Sequence, residues 1–280
     1  LDAGAFAQIT DSCGSNDTIN CTGLSGVIAL GGNELPLDRN VTVLGPGRDL
    51  LLIDGDFLSR ILNVGVDVTA NVSGLTFTNG RRANANGGAI LNNGGLSLTD
   101  VAFNFNTVIN TNNGGAIQNA NTGTLTVTRG FFLENSAEQF GGAIRNTGTA
   151  TIIDSTFTSN SSASDGGAIS STGPLTVIGL TFDQNHSAFS GGAISLSGND
   201  ASSLVNSTFS DNTAVDNGGA IIVNGTTAFT LTASNLTIAG NHANSADTQP
   251  SVVSGGIYVS GGLVTLTNSL VVGNYKGSGT

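Results

Sequence analysis

Four of the seven aspartates in the second half of the chain, Asp165, Asp183, Asp211 and Asp216, are accompanied by Arg145, His186 and His242. Carboxylates gathered beside a cation or an imidazole can hold calcium or cleave polysaccharides by acid–base chemistry. That chemistry requires convergence on one face. Whether these side chains converge depends on the elements that carry them, and those elements are marked by a repeat.

Gly-Gly-Ala-Ile occurs at Gly87–Ile90 and returns so that Ile90, Ile117, Ile144, Ile169, Ile194 and Ile221 share one position, with a degenerate copy ending at Ile257. The gaps between these isoleucines are 27, 27, 25, 25, 27 and 36 residues. Periods in this range mark solenoids, propellers or arrays. A second landmark, Phe-x-x-Asn, places Phe103, Phe132, Phe157, Phe182 and Phe209 three residues before Asn106, Asn135, Asn160, Asn185 and Asn212, and weakens at Ile238–Asn241 and Val271–Asn274. Five residues before each landmark stand Leu98, Val127, Ile152, Val177, Leu204, Ala233 and Leu266, and the neighbouring column is Ser97, Thr126, Thr151, Thr176, Ser203, Thr232 and Thr265. Alternating apolar and hydroxyl columns describe a strand with one buried and one wet face.

Each coil therefore reads as three short strands: one after Gly-Gly, one of Leu-x-Val type, and one carrying Phe. Coils stacked about 4.8 Å apart would turn every column into a ladder. Ile and Phe would line the interior, and the turn Asn would form an amide ladder. About nine coils make a rod roughly 40–45 Å long. The glycine pair supplies a tight corner at positive φ.

On this frame the four aspartates fall at different offsets, so stacking does not gather them. The outward position after each Ile holds Leu91, Gln118, Arg145, Ser170, Ser195, Ile222 and Tyr258, with one cation and no carboxylate. His186 and His242 share a position two coils apart, about 10 Å, too far for shared ligation. The Gly-Gly-x-Gly-x-Asp calcium repeat is missing, and the Gly pairs precede strands, so no nucleotide loop is formed. These readings give a non-enzymatic chain without cofactor or metal site.

Composition sharpens the class. Eight basic against nineteen acidic residues give a net charge of −11, which lacks the basic stripe that nucleic-acid binding needs. No apolar run is long enough to span a bilayer. Cys13 and Cys21, the only cysteines, read as a disulfide made in an oxidising compartment. Leu1, Ala5, Ile9 and Cys13 recur at helical spacing, so residues 1–25 are expected to form a cap and residues 26–280 the solenoid. The longest excursion from the rod, Asn244–Ser254, makes Gln249, Pro250 and nearby Tyr258 the expected recognition residues. The chain stops soon after the last landmark, so continuation or end-to-end self-assembly is expected to cover the last coil.

Gly-Gly-Ala-Ile with Phe-x-x-Asn resembles the repeats of polymorphic outer-membrane proteins, whose passenger domains are adhesins exported as autotransporters. Gly26–Leu30, Gly45-Pro46-Gly47 and Ile53-Asp54-Gly55 with Ser59-Arg60-Ile61 look like the opening of secreted bacterial right-handed parallel β-helix proteins. The resemblance implies an all-β, single-stranded right-handed parallel β-helix, secreted or at the cell surface, that adheres to a host surface, a glycan or copies of itself. The competing readings are a polysaccharide lyase or hydrolase on the same scaffold and, from the Thr column, an ice-binding solenoid.

Overall fold

The computed structural model describes residues 16–243 and 254–277. They form an all-β parallel solenoid in which each strand pairs with its counterpart one coil away. The Leu sheet runs from Asp17–Asn20 to Leu263–Thr267 in ten strands, and the Phe sheet from Gly26–Ala29 to Leu270–Val272, also in ten. The Ile sheet runs from Leu35–Leu37 to Ile257–Gly261 in nine strands. A fourth, narrow sheet of eight strands begins at Arg81–Ala83 and ends at Tyr275–Lys276. The three expected strands per coil are present. The narrow turn sheet joins them because the two or three residues after each turn Asn extend far enough to pair, as with Ser136–Ala137 on Ser161–Ser162.

The register sets like on like. Ile117 pairs with Ile144, Ile144 with Ile169, and Ile221 with Ile257. Phe157 pairs with Phe182, and their rings stack at 5.0 Å between centroids with planes 16° apart. The stack extends from Phe77 through Phe103, Phe132, Phe157 and Phe182 to Phe209, with centroid spacings of 4.4–5.0 Å. These rings are fully buried, and each buried aromatic side chain stabilises the fold by about 1.5–3 kcal/mol through loss of apolar surface to water.

Corners fix where one strand stops. The first glycine of each Gly-Gly pair has positive φ, 67° at Gly141, a conformation that costs a Cβ-bearing residue energy. The second glycine is required by proximity, since a Cβ on Gly142 would lie 2.2 Å from the Gly167 carbonyl oxygen. The residue before each turn Asn is also left-handed, as at Glu134, Ser159, Gln184 and Asp211 with φ of 50–55°. This corner lets the next residue, Asn, turn inward.

Asp17–Asn20 pairs with Val41–Leu44, so the first rung of the solenoid lies within the stretch 1–25. The stretch of helical spacing through Leu1, Ala5 and Ile9, expected to form a capping helix or cap-like segment, lies outside the described residues. Cys13 also lies outside them, and with it the expected Cys13–Cys21 disulfide; Cys21 is buried. Burial pushes its thiol pKa up. Among the described residues no helix is long and apolar enough to cross a membrane.

Candidate functional site

The turn asparagines form a continuous amide ladder. Asn135 Nδ2 donates to Asn160 Oδ1 at 2.9 Å, and Asn160 Nδ2 to Asn185 Oδ1 at 3.0 Å. The same chain links Asn106 to Asn135, Asn185 to Asn212, Asn212 to Asn241 and Asn241 to Asn274. Each Oδ1 also accepts the backbone N–H of the preceding Asn, 3.0 Å for Asn135 onto Asn160. The second Nδ2 hydrogen returns to the carbonyl of a Phe, as from Asn160 to Phe132 at 3.0 Å. Donors and acceptors are matched inside the rod, so the row is a structural spine rather than a reactive one.

A second amide row went unread in the sequence. Asn92 Nδ2 donates to Asn119 Oδ1 at 2.7 Å, Asn119 to Asn146 Oδ1 at 2.8 Å, and Asn146 to Ser171 Oγ at 2.8 Å. Its signal was available as Asn two residues after Ile in three successive repeats. A third row precedes the glycine pairs. The Asn86 side-chain oxygen accepts from the Asn113 backbone, Asn113 from Phe140, Asp165 from Ser190, and the Ser190 hydroxyl from Asn217.

Asp165 thus occupies a rung where Asn serves elsewhere. Burial pushes its carboxyl pKa above the usual range, the Ser190 N–H opposes this, and Asp216 adds a smaller like-charge push. Asp183 accepts from the Ser210 hydroxyl at 2.6 Å on the Phe sheet, and Asp211 sits at a left-handed corner. Among the described residues no three Asp, Glu, His or Cys side chains converge to hold a metal ion. His186 and His242 are separated by the Thr213 rung. His186 Nδ1 meets Thr213 Oγ1 at 2.8 Å, burial lowering its pKa, while His242 stacks on Tyr275.

The outward face of the Ile sheet is different in kind. The column after each Ile was expected to be exposed, yet Gln118, Ser170, Ser195 and Ile222 are buried, and Leu91, Arg145 and Tyr258 half-buried. Over Leu91, Gln118 and Arg145 lies a groove of about 530 Å³, walled by Asn86 and Asn113 on one side and by Asn121 and Thr122 on the other. Arg145 is held in place by the Phe140 ring, 5.1 Å from its guanidinium carbon, and by a 2.6 Å bond from Nη1 to Ser170 Oγ. Burial lowers its pKa and Asp165 partly restores it. Tyr258 lies in the same column farther along, paired with Ile222; Gln249 and Pro250 lie outside the described residues.

Residues 154–172, 179–197 and 206–223 match the model of the Chlamydia polymorphic membrane protein repeat. Each matched stretch spans a Phe-x-x-Asn turn and the following Gly-Gly-Ala-Ile. The chain is thus a parallel β-helix with repeats of that kind. No curated protein and no solved structure matches it.

Proposed function

We propose that this chain is a surface-exposed or extracellular adhesive module: a rigid, non-enzymatic rod that presents outward faces to another surface. The observation that carries this is the tandem run of three stretches matching the polymorphic membrane protein repeat, stacked in register on one scaffold. Such a scaffold holds surface groups at a fixed pitch of about 4.8 Å along the rod, which suits repeated weak contacts to a cell surface. Beads coated with the folded chain should be retained on a cell layer above uncoated beads. Equal retention would refute the reading. An enzymatic role on polysaccharide would show itself as reducing or unsaturated ends after incubation, which this reading predicts to be absent.

End-to-end association belongs to the same proposal. The last described coil leaves Leu266 40%, Val271 46% and Tyr275 44% exposed, although the equivalent Leu98 and Phe157 are fully buried. A further coil, from this chain or from another copy, would cover that end. Mass that rises with concentration supports the second source, and a strict monomer refutes it.

A further inference from the structure

We propose that the groove over the Ile sheet, between Asn113 and Thr147 and centred on Arg145, binds a short acidic oligosaccharide through its carboxylate. This deepens the adhesive reading and rests on it. The groove's volume of about 530 Å³ lies within the range of about 300–1,000 Å³ typical of small-ligand sites.

Charge comes first. The chain carries −11 overall, yet Arg145 is the one charged residue lining this groove. Arg60 and Arg82 pair with Glu34, and Arg129 with Asp100, and none of these ion pairs includes Arg145. Arg60, which is buried, has its carboxylate partner at 2.9 Å. Arg145 instead donates to a serine hydroxyl and lies over a ring, and Asp165 reaches it only through its field. A guanidinium carries five N–H donors in a planar fork suited to a carboxylate. Ring and hydroxyl fix its plane in advance, which lowers the entropy lost on binding.

The floor supplies a second, independent observation. Gln118 is 5% exposed, and its Oε1 has no hydrogen-bond partner, whereas Nε2 donates to the Asn119 carbonyl. A buried acceptor without a donor costs about 1–3 kcal/mol; Oε1 is closed to solvent in the free chain, so it accepts from a ligand hydroxyl once the amide turns toward the groove. Around it the lining is mostly amide and hydroxyl, groups that both donate and accept, as sugar hydroxyls do. Leu91 adds an apolar patch on which a pyranose ring can rest. An acidic peptide would satisfy Arg145 but brings few hydroxyl donors for Gln118.

The test uses the whole chain and trigalacturonate, measured by titration calorimetry against its methyl ester, tetraglutamate and maltotriose. Trigalacturonate should bind at least about ten-fold more tightly than the ester, from one charge-assisted contact. Arg145→Gln should weaken it by a similar factor, and Gln is already accommodated on the adjacent rung at Gln118. Thermal melts of the variant confirm folding, and Arg129→Gln, away from the groove, should change nothing. Gln118→Leu should weaken both trigalacturonate and its ester several-fold. Equal binding of the ester, unchanged binding by a folded Arg145→Gln, or tetraglutamate binding as tight as trigalacturonate would each overturn the proposal. Bead retention without trigalacturonate binding would refute the saccharide site alone; trigalacturonate binding without retention would refute the adhesive reading alone.

Discussion

Replacing Asn160 by alanine removes an interior rung of the buried amide spine. Its Oδ1 accepts from the Asn135 backbone N–H at 3.0 Å and from Asn135 Nδ2 at 2.9 Å. Both donors are in a wholly buried residue, and the backbone N–H spends its bond on this Oδ1. Each stranded donor costs about 1–3 kcal/mol, so the substitution should cost about 2–6 kcal/mol. The Phe132 carbonyl loses one bond as well, whereas the Asn160 backbone keeps its bond to Asn185 Oδ1. Two assays read this. Urea unfolding followed by circular dichroism should show a large drop in midpoint, and because coils contact only their neighbours the transition should broaden or split. Hydrogen exchange at the Asn135 amide should accelerate by about 30-fold or more, the equivalent of about 2 kcal/mol. Thr158→Ala, one corner away and partly exposed, serves as control with a change under about 0.5 kcal/mol. A loss below about 1 kcal/mol with Asn135 exchange unaltered would refute the claim that the spine is energetically closed.

Four further outcomes follow from the same geometry. Phe157→Ala, which opens the ring stack at its centre, should cost about 3–5 kcal/mol in urea unfolding. Gly142→Ala should be worse than Gly23→Ala, because its Cβ would collide with two backbone carbonyls whereas Gly23 faces open space; thermal melts of the pair check this. Ser159→Gly should raise stability by about 1 kcal/mol, since residue 159 has φ of 55°, and the equivalent Gly240 and Gly273 already use glycine there. Asp165→Asn should stabilise the chain at neutral pH. Burial raises the folded pKa of Asp165, so its charged form weakens the fold above that pKa, and the gain should vanish as pH falls below the ordinary value of 3.8. Asn keeps the acceptor for Ser190, and unfolding measured from pH 3 to 8 checks the trend.

The ladders were legible because a solenoid writes its contacts into the sequence period. A residue meets its own counterpart, so Ile90, Ile117 and Ile144, or the phenylalanines from Phe103 to Phe209, identify their neighbours without any knowledge of long-range topology. The turn sheet was not legible, since strands such as Ser136–Ala137 are too short to show alternation. Asn92, Asn119 and Asn146 carried a signal that was overlooked: amides at a fixed offset from Ile in a stretch otherwise read as outward-facing. The groove had no such signal. Asn113, Asn121 and Thr122, which line the groove beside Gln118 and Arg145, lie between strands, and their placement is a property of loop geometry rather than of period. For the same reason the aspartates could be excluded from one shared column, yet the field between Asp165 and Asp216 became visible only in three dimensions.

In-register stacking itself is tested most directly by distances between spin labels along one outward column, with Cys13 and Cys21 replaced by serine. Ser97 and Thr232 are five rungs apart, through Thr126, Thr151, Thr176 and Ser203. At about 4.8 Å per rung, labels at these two sites should be about 24 Å apart. Moving the second label to Thr265, one rung farther, should add about 5 Å, and moving it back to Ser203 should remove the same. Distances that do not advance in equal steps, or that place Ser97 nearer Thr265 than Thr232, would contradict the stacked coil and every face derived from it.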